Sequence, residues 1–323
     1  MTSQSVVYTL SFNSSVDNTF YLNSIRFDDI NRIEKSRVDA GGKGLNVARM
    51  LNILSYPSQA LTFLGGPNGT VLKKLLEDEK IPFRYVPIKG NTRSIFNFIA
   101  GKKVLRINEK GPLISKKEKD AFLNLIYSLK ISKGDIVSIS GSVPPGVEKD
   151  IYKKVIKKVK TKGVIVALDT DGDLLKEGIK EKPHIIKPNL WELNRIARRR
   201  ISSFRTLKDI LEHFISYGIS TILLTNGENG AVLFSKKHFL YSKPPSVKVL
   251  STIGCGDTFL AGFLYGYCKN KPQEECLRLA VAAGTAKVLK EGTSMPDRRN
   301  VMEIVKKVKV INASERTILP FFQ

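Results

Sequence analysis

Three cysteines in 323 residues, Cys255, Cys268 and Cys276, are too few and too oddly numbered for a disulfide framework. None stands in the C-x-x-C spacing of a structural zinc site. Histidine is as scarce: His184, His213 and His238 show no pairing pattern and receive no role. No apolar run approaches the roughly 20 residues of a bilayer span. The start, "MTSQSVVYTLSFNSS", has no basic segment before its short apolar run, so no signal peptide is expected and a reduced, cytoplasmic setting fits. There is no G-x-x-x-x-G-K-[ST] loop and no G-x-G-x-x-G after a strand, which disfavours Walker-type and Rossmann nucleotide sites.

Acidic residues are in short supply. Asp and Glu number 30 against 53 Lys and Arg, a formal charge of +23. Nucleic acid is the first partner to consider for such a charge. The basic residues are nevertheless spread along the chain, and "KKVIKKVKTK" (153–162) and "VKKVKV" (305–310) interleave with Val and Ile as solvated helix faces do. Zinc-finger spacing, an aromatic RNA-binding signature and a basic tail are all missing, so no nucleic-acid partner and no membrane partner are expected. A positive field also steers anionic substrates inward.

At 42% hydrophobic and 26% charged, the composition supports a sizeable core. "DIVSIS" (135–140), "GVIVALD" (163–169), "HIIKP" (184–188) and "STILLT" (220–225) are Val/Ile-rich without polar alternation, as in strands of a parallel sheet covered on both faces. Helical periods lie between them, with Phe122, Leu125, Ile126 and Leu129 on one face, and Ile210, Leu211, Phe214 and Ile215 on another. Strand–helix alternation predicts an α/β fold, a mostly parallel central sheet with helices on both faces. Residues 14–40 and 84–110 break the rhythm and read as antiparallel strands. They are expected to form a small lid inserted in a single domain spanning 1–323.

Five stretches can carry chemistry. In "STIGCGDTFLAG", Gly254-Cys255-Gly256-Asp257 opens an apolar helix. The glycines make either an ordinary turn or a cradle of N–H groups for a phosphate, with Asp257 as either a cap or a proton acceptor. In "DAGGKGLNVARML" (39–51), the glycines allow close backbone approach to a ligand, and Lys43 offers a charge to a phosphate. "SISGSVPPG" (138–146) follows a buried strand, where open α/β sheets bind ligands. In "IIKPNLWEL" (185–193), Asn189 and Glu192 form either a capping box or a pair that reaches a hydrated magnesium ion. "LLTNGENGAVLF" (223–234) is a hairpin whose open edge could seat a nucleotide.

In their order and spacing these stretches, with "TLSFNSSVD" at the start, resemble the PfkB-type sugar kinases of ribokinase-like fold over nearly the whole chain. The "GGKGLNVA" form, Thr92-Arg93 and Ser142 resemble the branch acting on phosphorylated hexoses, which includes 1-phosphofructokinase and tagatose-6-phosphate kinase. The resemblance implies ATP- and magnesium-dependent phosphorylation of a ketohexose phosphate, first of all fructose 1-phosphate to fructose 1,6-bisphosphate. Tagatose 6-phosphate or fructose 6-phosphate is the alternative within the class; a non-catalytic basic binding protein is the alternative outside it. It implies Asp257 as catalytic base and Gly254, Cys255 and Gly256 as the anion hole. Asp17, Gly42 and Asn46 would contact sugar hydroxyls, and Lys43, Arg93 and Ser142 the substrate's own phosphate. Asn189 and Glu192 would serve the magnesium through water, Thr225, Gly227 and Gly230 the nucleotide turn, and Gly284 the adenine side. A homodimer through the lid is expected. Four positions depart from the family pattern. Ser14 replaces a Pro and is expected to loosen the loop before Asp17. Cys255 replaces an Ala and is expected to be an acidic, oxidisable thiol. Asp171 stands where Ser is common, and Lys287 replaces an Asn near the adenine.

Overall fold

The computed structural model describes residues 4–101 and 103–323. Ten strands form one sheet, in spatial order Ile311–Asn312, Phe239–Ser242, Ala231–Ser235, Thr221–Thr225, Ile185–Ile186, Ile165–Asp169, Ile136–Ser140, Val7–Ser11, Ser58–Leu64 and Phe83–Pro87. The seven from Thr221–Thr225 to Phe83–Pro87 are joined by parallel pairing. The other three join by antiparallel pairing. The four strands anticipated from their apolar runs all lie in the parallel part, buried on both faces. Their Val, Ile and Leu pack into two cores, one on each side of the sheet.

Helices Lys43–Ile53, Cys255–Cys268, Gln273–Val288 and Arg298–Val305 cover one side; Lys116–Tyr127, Ile151–Lys160, Leu190–Ala197 and Phe204–Tyr217 are among those covering the other. The Lys-rich stretch at 153–160 is the solvent face of an amphipathic helix whose Ile151, Val155, Ile156 and Val159 are buried. Helices Cys255–Cys268 and Gln273–Val288 lie in close contact because Gly262 has no side chain. A Cβ there would fall 2.5 Å from the Leu279 carbonyl oxygen.

The order of strands reverses at Val7–Ser11, which pairs with Ser58–Leu64 on one side and Ile136–Ser140 on the other. Such a switch point opens a crevice at the carboxyl ends of the strands.

The lid is a separate four-stranded sheet, ordered Lys35–Gly41, Ser15–Tyr21, Arg93–Ala100 and Lys103–Asn108. It is mixed rather than antiparallel, because Ser15–Tyr21 pairs in parallel with Arg93–Ala100. Segment 84–110 also divides: Phe83–Pro87 belongs to the edge of the large sheet, and only the later strands enter the lid. Alternation gives the lid two unlike faces. Asp17, Thr19, Arg37, Asp39, Asn97 and Arg106 share one, and Phe20, Val38, Phe96, Phe98 and Ile107 share the other. Val38 and Ile107 are about half exposed, at 46% and 50%.

Candidate active site

The helix Cys255–Cys268 begins one residue after Gly254, whose φ of 77° lies in the left-handed region that favours glycine. No side chain caps this helix; the Cys255 N–H donates to the Thr252 carbonyl at 3.5 Å, while the Gly256 and Asp257 N–H groups have no acceptor among the described residues and stay open to a ligand. Asp257 stands in the first turn with its carboxylate buried. Its Oδ2 accepts from Asn46 Nδ2 at 2.8 Å. Burial pushes the Asp257 carboxyl above the usual carboxylate range, with nearby Lys43 opposing and Asp169 adding to the rise.

Asn46 belongs to the helix Lys43–Ile53, entered through Gly42 at φ 113°. The glycines before it are required by close approach. A Cβ on Gly41 would fall 1.9 Å from Asp17 Oδ1, and one on Gly42 2.9 Å from Ser11 Oγ. The Asp17 carboxylate therefore sits over bare backbone. It is buried, accepts from Ser15 Oγ at 2.6 Å, and burial lifts its pKa to about 6 against the pull of Arg49, Arg93 and Arg106. The Ser14 loop is pinned, not loosened: Ser14 Oγ donates to Ser11 Oγ at 2.9 Å and lies 2.7 Å from Thr62 Oγ1.

Arg93 and Ser142 meet around Asn13. Arg93 Nε donates to the Asn13 carbonyl at 3.1 Å, and Asn13 Nδ2 donates to Ser142 Oγ at 3.2 Å. Lys43 borders this cluster through Gly141, but its ammonium is already engaged, 3.2 Å from Asp169 Oδ1. Lys187 Nζ lies at the same 3.2 Å from that oxygen. Burial alone would raise the Asp169 carboxyl; Lys187 and Lys43 overcome it and hold it below its ordinary value. Lys187 Nζ also comes within 3.3 Å of where a Cβ on Gly256 would be, so it faces the helix tip. Asp169 and Lys187 were not singled out from the sequence. Their only signal was a charged residue closing a buried apolar strand, in "IVALD" and "IIKP".

Asn189 and Glu192 form the capping box. Asn189 Oδ1 accepts from the Glu192 N–H and Glu192 Oε2 from the Asn189 N–H, both at 2.8 Å. Burial raises the Glu192 carboxyl, and its second oxygen has no hydrogen bond among the described residues. Among those residues no group of three His, Cys, Asp or Glu side chains could cage a metal.

A cavity of about 1120 Å³ runs from the turn at Thr225, Gly227 and Gly230 to Cys255 and Gly256 at the helix tip, passing Phe259, Val281 and Gly284. The turn is the connection of the anticipated hairpin, a short 3₁₀ segment at Gly227–Asn229. One reading of a departure needs correction. Burial pushes the Cys255 thiol up to about 11, so it is not acidic. Lys287 is buried and is not among the cavity's lining residues, although its neighbours Gly284, Thr285 and Val288 are. Asp171 precedes the helix Gly172–Ile179 without capping it and lies 3.5 Å from Arg195 at the surface.

An open α/β sheet with a cavity ending at a glycine-rich helix tip, a buried carboxylate in that tip's first turn and a small lid sheet define a ribokinase-like phosphotransferase. The pattern of the pfkB family carbohydrate kinases matches residues 10–299, and the chain belongs to that family. It is similar to 1-phosphofructokinase of Bacillus subtilis, 32% identical over 94% of this chain and 99% of the relative. It is similar to tagatose-6-phosphate kinase of Staphylococcus epidermidis, 31% identical over 95% and 99%. Among solved structures, phosphofructokinase-2 from Escherichia coli in complex with substrates and products matches with a TM-score of 0.88 at 26% identity, over 94% of this chain and 99% of that one.

Proposed function

We propose that the protein transfers the terminal phosphoryl group of ATP to a phosphorylated ketohexose, with fructose 1-phosphate as the favoured acceptor. One observation carries the reading: a single cavity joins the Thr225–Gly230 turn to Cys255 and Gly256 at the uncapped helix tip, beside a buried carboxylate. In this reading the turn and Gly284 hold the nucleotide. The helix tip accepts the travelling phosphoryl group. Asp257, its basicity raised by burial, takes the proton of the attacking hydroxyl. Asn46 keeps that carboxylate aimed. Asp17, seated over the bare backbone at Gly41, accepts from sugar hydroxyls. Arg93 and Ser142 hold the phosphate that does not react. Lys43 bridges the two phosphate regions, since its stem passes Gly141 and its ammonium meets Asp169. Magnesium would neutralise charge on the nucleotide phosphates, with Glu192 reaching it through water.

The lid's polar face would exclude water from the crevice, where hydrolysis competes. Its apolar face is proposed to pack on a second copy of the chain.

The test is a coupled ADP-release screen over fructose 1-phosphate, fructose 6-phosphate, tagatose 6-phosphate, ribose and adenosine. Preference for fructose 1-phosphate by kcat/KM supports the reading. Preference for tagatose 6-phosphate would place the chain with its other named relative, and turnover of adenosine or ribose alone would overturn the phosphorylated-acceptor assignment.

A further inference from the structure

Lys287 has no part in the function above, yet it is the kind of group a fold does not bury idly. Its side chain is fully buried on the helix Gln273–Val288. A buried ammonium costs several kcal/mol unless paired. Among the described residues it takes part in no ion pair. Its single hydrogen bond runs from Nζ to the Gly292 carbonyl oxygen at 2.9 Å.

Its surroundings explain why it is there. Cε lies 3.6 Å from where a Cβ on Gly254 would stand, so the side chain passes directly behind the helix tip. The Gly292 turn that receives its proton touches the lid: a Cβ on Gly292 would fall 2.8 Å from Thr19 Oγ1 and 3.4 Å from Asp39 Oδ2. The next residue in that turn, Thr293, accepts from Arg49 Nη1 at 3.2 Å. One side chain thus connects the tip of the helix with the root of the lid.

We propose that Lys287 is a positioning residue for phosphoryl transfer: it braces the Gly254 turn against the Gly292 turn and holds a positive charge behind the open N–H groups where the phosphoryl group passes. The proposal rests on the reading that a phosphate visits this helix tip. A charge in a dry setting acts over several ångströms without contact. The charged and titratable groups facing the ammonium are Cys255 and Asp257 from the helix Cys255–Cys268, Arg49 from Lys43–Ile53, and Asp39 from the lid strand; Glu291 in the Gly292 turn pairs instead with Lys35 at the surface. Burial lowers the Lys287 pKa to about 8; Arg49 adds to the fall, while Cys255, Asp39 and Asp257 oppose it. An arriving phosphate favours the charged form, so anion and proton bind together. Below about pH 8 the proton is already present, and above it the proton must be taken up on binding.

Isothermal titration of Mg·ATP at pH 8.5, in two buffers of different ionisation enthalpy, measures this without turnover. The wild-type protein should take up roughly half a proton or more on binding. Uptake should vanish in Lys287→Met or, if that variant does not fold, in Lys287→Gln. In the same variant kcat should fall about 10- to 100-fold, less than the loss of a direct donor. KM for the sugar phosphate should move by less than about twofold. Lys287→Arg, charged at every pH tested, should flatten the decline of kcat/KM for ATP between pH 7.5 and 9.5. Wild-type binding with no uptake, uptake that persists without the lysine, or a wild-type profile flat through pH 9.5 overturns the proposal. The two readings fail separately. Uptake with no turnover of any sugar sinks the kinase assignment and leaves Lys287 in place; turnover without uptake does the reverse.

Discussion

Asp257 and Asp17 are both buried carboxylates raised by the same cause, and substitution separates their uses. Asp257→Asn should lower kcat by about 10²–10⁴ while ATP affinity, read by titration, stays nearly constant. An unaltered kcat would remove Asp257 as the base. Asp17 with a pKa near 6 is ionised above that value. The KM for the sugar phosphate should therefore climb as pH falls below about 6, as the acceptor is lost. The effect on stability has the opposite sense. A carboxyl raised in the fold contributes most below its ordinary value and loses that contribution as pH rises through about 6. Asp17→Asn should accordingly stabilise the protein by about 1–3 kcal/mol at pH 7.5, with the gain shrinking toward pH 4.5. Thermal melts at the two pH values check this; a lower melting temperature for the variant at pH 7.5 contradicts it. Arg93→Ala should mainly raise KM for the sugar phosphate and spare that for ATP. If the ATP constant moves instead, Arg93 serves the nucleotide.

Helices and parallel strands were legible because each announces itself locally. Apolar runs such as "ILLT" need no partner to be read as buried strands, and Asn189 with Glu192 spells a capping box that the structure realises. The lid was legible as strands but not as pairing. Ser15–Tyr21 and Arg93–Ala100 lie parallel although far apart in sequence, and nothing in either segment names the other. The same limit hid Asp169 and Lys187. They come from adjacent strands, and only the sheet's register brings a carboxylate and an ammonium to 3.2 Å. Helix contact was equally unreadable. Gly262 passes for an ordinary residue in "FLAGFLYG" until Leu279 is found against it. Gly262→Val should destabilise by about 1–3 kcal/mol through overpacking, seen as a shift in the urea midpoint with the slope retained. A midpoint unchanged within error would mean the two helices can separate at no cost.

At the scale of the molecule, the surplus of +23 and the apolar lid face point to different events. The charge aids encounter with anionic substrates, so kcat/KM should fall with added salt more than kcat does. The lid face is proposed to mediate association. Val38→Asp with Ile107→Asp should convert a dimer, measured by light scattering at assay concentration, into a monomer; a wild-type protein already monomeric there would refute the proposed pairing. No helix among the described residues is long and apolar enough to cross a membrane. Arg49 reaches further than any of these surfaces. Its buried guanidinium donates to the Ala40 carbonyl, to Asn46 Oδ1 and to the Thr293 carbonyl, and it pairs with Glu79. Asn46 in turn steadies Asp257. During synthesis on the ribosome this knot cannot be tied until residue 293 has emerged, so the network that steadies Asp257 is completed only when nearly all of the chain has been made.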